Sequence, residues 1–515
     1  MENRLKSRKK CKIIVFIVVF SFILSVLIII NNLDVITRED YIDVDFVGNR
    51  LKISKISGKI RITNNWTAAK AAGICTGNGT YSEPYIIEDL VIDCEGWLSS
   101  IFIQNSDEYF IIRNCTIYNS GPWAFGSNNA GITLSNVTNS LLLNNNCSSN
   151  YSGISLINSY NNTVSGNLAN NNEENGIETY FSYNNTIVAN TVNNNDYGIH
   201  LGTADNSLVI GNTGTNNQYG VLLGGAHNNS ILNNNFMGNL ERGIYLWQAN
   251  NNKILANNAS YTNAPGFNHG IELYYSNNNE ILENTANNNM GCGIYSIASN
   301  HSIVSGNIAN NNLYGIDLSL SNYNAITGNT GTNNKVGLIL SSGHNNTILN
   351  NNASGNEQGG IDLWQANNNK IYGNNASNTY RPDLGMGIIL SYSNNNEILE
   401  NTANNNTRCG LYLIASNNSI ISGNTANYNR YGFHLLLSNF NSITENILVG
   451  NNVCIIEETS IGNIYSNNGD CIPIQSNGNI PGYQLLLIFS ILIVITIELL
   501  LKKIRKNTIR ILTCD

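Results

Sequence analysis

Aromatic and acidic side chains recur in register along this chain. A four-residue pattern, Gly-apolar-x-apolar, starts at Gly131, Gly153, Gly176, Gly198, Gly220, Gly243, Gly270, Gly293, Gly315, Gly337, Gly360, Gly387, Gly410 and Gly432. If the two apolar residues point inward along a strand, the residue between them and the one after them point outward. Repeat by repeat these outward residues include Glu178 with Tyr180, Tyr245 with Trp247, Glu272 with Tyr274, Tyr295 with Ile297, Asp317 with Ser319, and Asp362 with Trp364. Flat rings beside carboxylates suit a sugar, whose C–H face lies on a ring while its hydroxyls bond to the acid. The expected ligand-binding residues are therefore Tyr245, Trp247, Glu272, Tyr274, Tyr295, Asp362 and Trp364.

Glu272, Asp317 and Asp362 are also the candidate catalytic carboxylates. Successive members fall two repeats apart, about 9.6 Å at strand spacing, near the upper limit for the carboxylate pair of an inverting glycosidase. Any alternate-repeat pattern produces that spacing, so it argues only weakly for catalysis. Soft-metal chemistry needs His, Cys and Met to converge. His227 and His344, like Cys292 and Cys409, are five repeats apart, so neither a metal site nor a cofactor is expected. Cys94 with Cys115, about one repeat apart, and Cys454 with Cys471, in the last irregular segment, are candidate disulfides that would staple the two ends.

The elements that must carry these residues are short strands. The glycine pattern recurs about every 22–23 residues, with two longer repeats of about 27, and each repeat also contains Asn-Asn-x-Ile-x-x-Asn, as in Asn251 to Asn257 and Asn368 to Asn374. Both motifs place apolar residues at the two-residue spacing of a strand with one buried face. No single repeat can bury those residues except against its neighbours, which makes the chain a solenoid. Stacking sets Asn above Asn, so that side-chain amides form ladders, and Asn tolerates the left-handed corners between strands. A larger duplication is also present: Gly198 to Leu313 and Gly315 to Arg430 align about 117 residues apart, so five coils were copied as a block. Thr63 to Ala72 is expected to be a short helix capping the open first coil.

The expected fold class is all-β, a single-stranded right-handed parallel β-helix with a transmembrane helix at each end. A basic tail, 1–12, precedes an apolar run, 13–30, long enough to approach the width of a bilayer core. No A-x-A-like site follows it, so it reads as an uncleaved anchor rather than a signal peptide. Residues 31–83 form an N-terminal segment and cap, 84–475 the coils, and 476–482 a linker. A second apolar run, 483–501, is followed by the basic tail 502–515. The positive-inside rule puts both tails in the cytoplasm and the coils outside the cell membrane. Many N-x-S/T sequons, Asn136, Asn228 and Asn345 among them, agree with an exterior location, although an Asn-rich chain generates sequons by chance. Net charge −8 and pI near 5.3 exclude a nucleic-acid-binding stripe.

The alternation of Gly-Ile-x-Leu with Asn-Asn-x-Ile-x-x-Asn, over about three quarters of the chain, resembles the pectin-lyase-like parallel β-helix repeat family. It looks particularly like the coils of the NosD-type periplasmic copper-protein accessory family. The resemblance implies the fold and a wider kinship with carbohydrate-binding and sugar-hydrolase β-helices, but the repeated residues are structural and say little about activity. The Asp clusters and the His and Arg-Lys motifs of β-helix pectin hydrolases are absent. Three functions follow as expectations: a non-catalytic surface module binding a polysaccharide or glycoprotein, a glycan-cleaving enzyme, or a structural spacer.

Overall fold

Each repeat supplies two extended runs and a corner-rich connection, and in three dimensions that connection becomes a third side of the coil. The computed structural model describes residues 54–121, 129–264, 266, 268–469, 471 and 474–476. Six-residue strands such as Arg242–Trp247, His269–Tyr274 and Cys292–Ile297 stack in parallel into a front sheet of 18 described strands. Three-residue strands such as Lys253–Leu255 and Glu280–Leu282 stack into a second sheet of 17. On the third side neighbouring coils meet through single parallel bridges, for example Thr213 to Asn235, Asn235 to Asn258 and Asn258 to Thr285. The coil is thus three-sided, whereas the sequence pattern marks only two strands, because the third run is too short between its corners to carry a periodic signal.

Inside, apolar residues form continuous columns. Ile244, Ile271, Ile294 and Ile316 are in register on the front sheet, as are Ile254, Ile281, Val304 and Ile326 on the second, and all are at most 1% exposed. Burying each is worth about 1.5–3 kcal/mol, realised only when the coils above and below are present. The repeated glycine serves close approach rather than a turn. A Cβ on Gly315 would lie 2.4 Å from the carbonyl oxygen of Gly337 in the next coil, so only glycine lets the two backbones meet there.

Corners are held by buried amides. Asn284 accepts the backbone N–H of Asn257 at 2.9 Å and donates its own side-chain N–H to the Ile254 carbonyl at 2.9 Å and to Asn307 at 3.0 Å. Asn307 repeats this with Ile281 and Asn329. The left-handed corner itself is supplied by exposed asparagines such as Asn251 and Asn278, at φ of 58° and 56°.

A short helix, Trp66–Ala71, lies against the first coils within the expected 63–72 range. Its Trp66 ring stacks on Tyr85 at 4.8 Å, meets Phe110 at 4.9 Å, and donates its indole N–H to Ser106 at 2.8 Å. The expectation of a transmembrane helix at each end is corrected: among the described residues no helix is long and apolar enough to cross a membrane. Six residues of helix span about 9 Å against a hydrocarbon core of about 30 Å. The two apolar runs, 13–30 and 483–501, lie outside the described residues.

Replacing Asn307 with Ala leaves the Asn284 backbone N–H without a partner in a dry interior and takes one hydrogen bond from the Ile281 carbonyl, which keeps its place in the strand ladder; the orphaned N–H costs about 1–3 kcal/mol. Hydrogen exchange should show lost protection at Asn284 and in the coils on either side, with a lower melting temperature. Unchanged protection would mean that the ladder contributes nothing to stability.

Candidate ligand-binding face

The front sheet carries the expected outward columns at the fourth and sixth strand positions, and a further one at the first. Strict alternation back from the buried Ile244 and Leu246 would point Arg242 inward. Instead the glycine at the second position faces inward, the chain bends there, and the first residue joins the outer face. Tyr197 accordingly stacks with His200 at 5.3 Å, Tyr219 with Tyr245 at 5.8 Å, and His269 with Tyr295 at 4.6 Å. Two-residue alternation does not reveal this column because glycine breaks the period; its signal in the sequence is that large polar or aromatic residues repeatedly precede the glycine.

Arg242 is the centre of a charged network missed for that reason. Its Nε donates to Glu272 Oε2 at 2.6 Å and its Nη1 to Glu241 Oε2 at 2.6 Å, while its guanidinium lies 5.7 Å from the Tyr219 ring centre and 5.4 Å from that of Tyr245. Burial opposes the Arg242 charge, but attraction and hydrogen bonding from Glu272, joined by Tyr219 and Glu241, more than offset this, so its pKa is raised. Tyr219 donates its hydroxyl to Glu241 Oε2 at 2.9 Å, and Gln218 Nε2 donates to Glu241 Oε1 at 2.8 Å. Behind them His269 accepts the Cys292 backbone N–H on Nδ1 at 3.0 Å. Burial first and Arg242 second push its pKa down to about 3, so the ring is neutral.

Beside this network opens a cleft of about 400 Å³, lined by Asp196, Gln218, Leu240, Glu241 and Ala264 and rimmed by asparagines including Asn194 and Asn216. Ala264 belongs to the extra residues of a 27-residue coil. Its N–H donates to the Leu240 carbonyl at 3.1 Å, folding that segment back over the preceding coil.

Five of the seven expected binding residues sit together. Tyr245 pairs in register with Glu272, Trp247 with Tyr274, and Glu272 with Tyr295. Trp247 is 45% exposed, whereas Glu272 is buried beneath Arg242 at 5%. Asp362 and Trp364 do not join them: the strands of Tyr295, Asp317 and Ile339 intervene, which puts Asp362 about 19 Å from Glu272 at strand spacing. Along the candidate catalytic set, Tyr295 separates Glu272 from Asp317 and Ile339 separates Asp317 from Asp362. Asp362 lies between Ile339 and Ile389, and burial pushes its carboxyl up to about 7. Glu178, 7% exposed and likewise raised to about 7 by burial, accepts a hydrogen bond from Asn175 at 2.9 Å.

Cys454 and Cys471 form a disulfide across the last coil. Cys94 and Cys115 do not pair: both are buried free thiols, with Cys94 Sγ donating to the Trp97 and Leu98 carbonyls and Cys115 Sγ to that of Arg113. The parallel register of the strands between them sets Val91 opposite Thr116 and Asp93 opposite Tyr118, so Cys94 and Cys115 stand at opposite ends of the strand pair, too far apart for a disulfide.

The Asp362 environment makes stability depend on pH. Because its folded-state pKa lies above the ordinary carboxylate value, ionisation opposes folding; the penalty is absent below about pH 4, grows as pH rises, and is complete above about pH 7. Asp362→Asn should therefore raise the melting temperature relative to wild type at pH 8 and leave it unchanged at pH 4. A variant less stable than wild type at pH 8 would contradict this account.

Residues 111–242 and 237–382 match a family model described as periplasmic copper-binding protein (NosD), and residues 315–470 match one described as right handed beta helix region. Among solved structures the chain is similar to a point mutant of the periplasmic alginate epimerase AlgG, at 15% identity over 64% of this chain and 80% of that one, with a TM-score of 0.40. It is similar to the DFA-IIIase from Arthrobacter chlorophenolicus in complex with GF2, at 14% identity over 46% and 70%, TM-score 0.37. A third is the A-module of the mannuronan C-5 epimerase AlgE4 from Azotobacter vinelandii, at 14% identity over 80% and 93%, TM-score 0.33. No curated protein matches the sequence.

Proposed function

The chain belongs to the NosD family, whose model matches more than half of it, and from that premise we propose that it is an extracytoplasmic β-helix protein that binds a glycan without cleaving it. The observation that carries this reading is the convergence of Tyr245, Trp247, Glu272, Tyr274 and Tyr295 on three successive strands of the front sheet. Trp247 offers a half-exposed ring, and the neighbouring cleft offers carboxylates and amides to hydroxyl groups. The Cys454–Cys471 disulfide suits an oxidising compartment.

Copper, which the family description names, does not suit the residues present. Among the described residues no three His, Cys, Asp or Glu side chains converge. His227 and His344 each spend Nδ1 on a backbone N–H, of Asn250 at 3.0 Å and Asn367 at 3.1 Å, and His269 on that of Cys292. Cleavage by the candidate carboxylates is disfavoured because Tyr295 separates Glu272 from Asp317, Ile339 separates Asp317 from Asp362, and Glu272 is held in an ion pair with Arg242.

A glycan-array screen with a Trp247→Ala/Trp364→Ala double variant tests the reading. Wild type should bind at least one glycan, and loss of the rings should weaken binding by roughly tenfold or more. Trp364, which is remote from the cluster, should contribute little when substituted alone. Absence of binding by the wild type would leave a structural spacer as the better description.

A further inference from the structure

The duplicated block provides its own control for what the outer face is for. With an offset of about 117 residues, the inward columns are kept: Ile244 and Ile361, Leu246 and Leu363, Ile271 and Ile388. The ladder residues Asn252 and Asn369, and Asn257 and Asn374, are kept as well. On the front face, Tyr219, Glu241, Arg242, His269 and Glu272 are replaced together by Val336, Gln358, Gly359, Met386 and Ile389. The second copy nevertheless forms the matching strands, Gly359–Trp364 and Met386–Ser391, in the same register. The fold therefore does not require the network.

Burying an Arg with two carboxylates also costs desolvation, and apolar replacements of such sets are often neutral or stabilising. The first copy carries that cost and the second does not. The cleft follows the same division. Where the first copy has Leu240 and Ala264, the second has Glu357 and Arg381, joined by an ion pair at 2.7 Å across the corresponding position. Gln218 becomes Lys335, and Asp196, just before the first copy, has Leu313 at the corresponding place before the second.

We infer that the ligand site is built where the first copy meets the coil just before it, at the cleft beside Tyr219, Glu241 and Arg242, that the second copy lacks it, and that it takes an uncharged glycan rather than a uronate. This rests on the glycan-binding reading above. The cation of the network, Arg242, is already matched by Glu241 and Glu272. A ligand entering the cleft meets the carboxyls of Asp196 and Glu241 together with amides. Those acids accept hydrogen bonds from sugar hydroxyls and repel a uronic acid carboxylate. Glu241 is the contact residue, Arg242 and Tyr219 position its Oε2, and Glu272 positions Arg242.

The test is calorimetric titration of three proteins with neutral hexasaccharides (cellohexaose, laminarihexaose, maltohexaose and mannohexaose) and with two uronates, hexagalacturonate and hexamannuronate. The proteins are wild type, Glu241→Gln, and a variant carrying Tyr219→Val, Glu241→Gln, Arg242→Gly, His269→Met and Glu272→Ile, with melting curves for each. Wild type should bind a neutral hexasaccharide and neither uronate. Glu241→Gln should weaken binding roughly tenfold, and the fivefold variant should lose it while melting no lower than wild type. Undiminished binding by the fivefold variant would place the site elsewhere. Preferential uronate binding would sink the charge argument while leaving glycan binding intact. If wild type binds no glycan of either kind, both readings fall.

Discussion

A buried asparagine that accepts a backbone N–H from the preceding coil and returns its own N–H groups to carbonyls and amides fixes each coil to the next. Asn257, Asn284, Asn307 and Asn329 do this in unbroken succession, each at most 2% exposed. A dry amide left without partners is expensive, so the register between coils cannot slip by even one residue. The apolar columns follow from that register: once Asn is above Asn, Ile is above Ile and each glycine faces the backbone of the next coil. Insertions are admitted where the ladder changes partner. In both 27-residue coils a threonine, Thr262 or Thr379, stands where other coils have Asn, and the asparagine before it, Asn239 or Asn356, turns to a carbonyl of its own coil. The extra residues follow directly after that threonine.

This division of labour frees the outer face. Inward residues are constrained by neighbours on both sides, whereas a front-face residue meets only its lateral neighbours and solvent. The duplicated block shows the consequence, since its two copies share a core and differ in charge outside. Arg242 and its two carboxylates occupy one copy, while Met386, Ile389, Cys409 and Tyr412 form a separate apolar cluster in the other. One scaffold thus presents two chemically distinct surfaces, and the cleft accompanies the charged one.

Repeat spacing, two-residue alternation and recurrent asparagine determined the solenoid, the inward columns, the amide ladders, the cap and the duplication from the sequence alone, because each arises from local periodicity repeated in register. Tyr245, Glu272 and Tyr295 were legible as neighbours for the same reason. Tertiary structure decided the rest. The bend at each glycine brought Arg242, Tyr219 and His269 onto the outer face, against the alternation that would bury them. The segment at Ala264, visible in the sequence only as extra residues of a long repeat, folds back to make a cleft, whereas the four-repeat gap between Glu272 and Asp362 already follows from the repeat spacing. Strand register held Cys94 away from Cys115 while Cys454 met Cys471. These outcomes depend on where a bend, an insertion or a side chain lands relative to another coil, and periodicity carries no information about departures from itself.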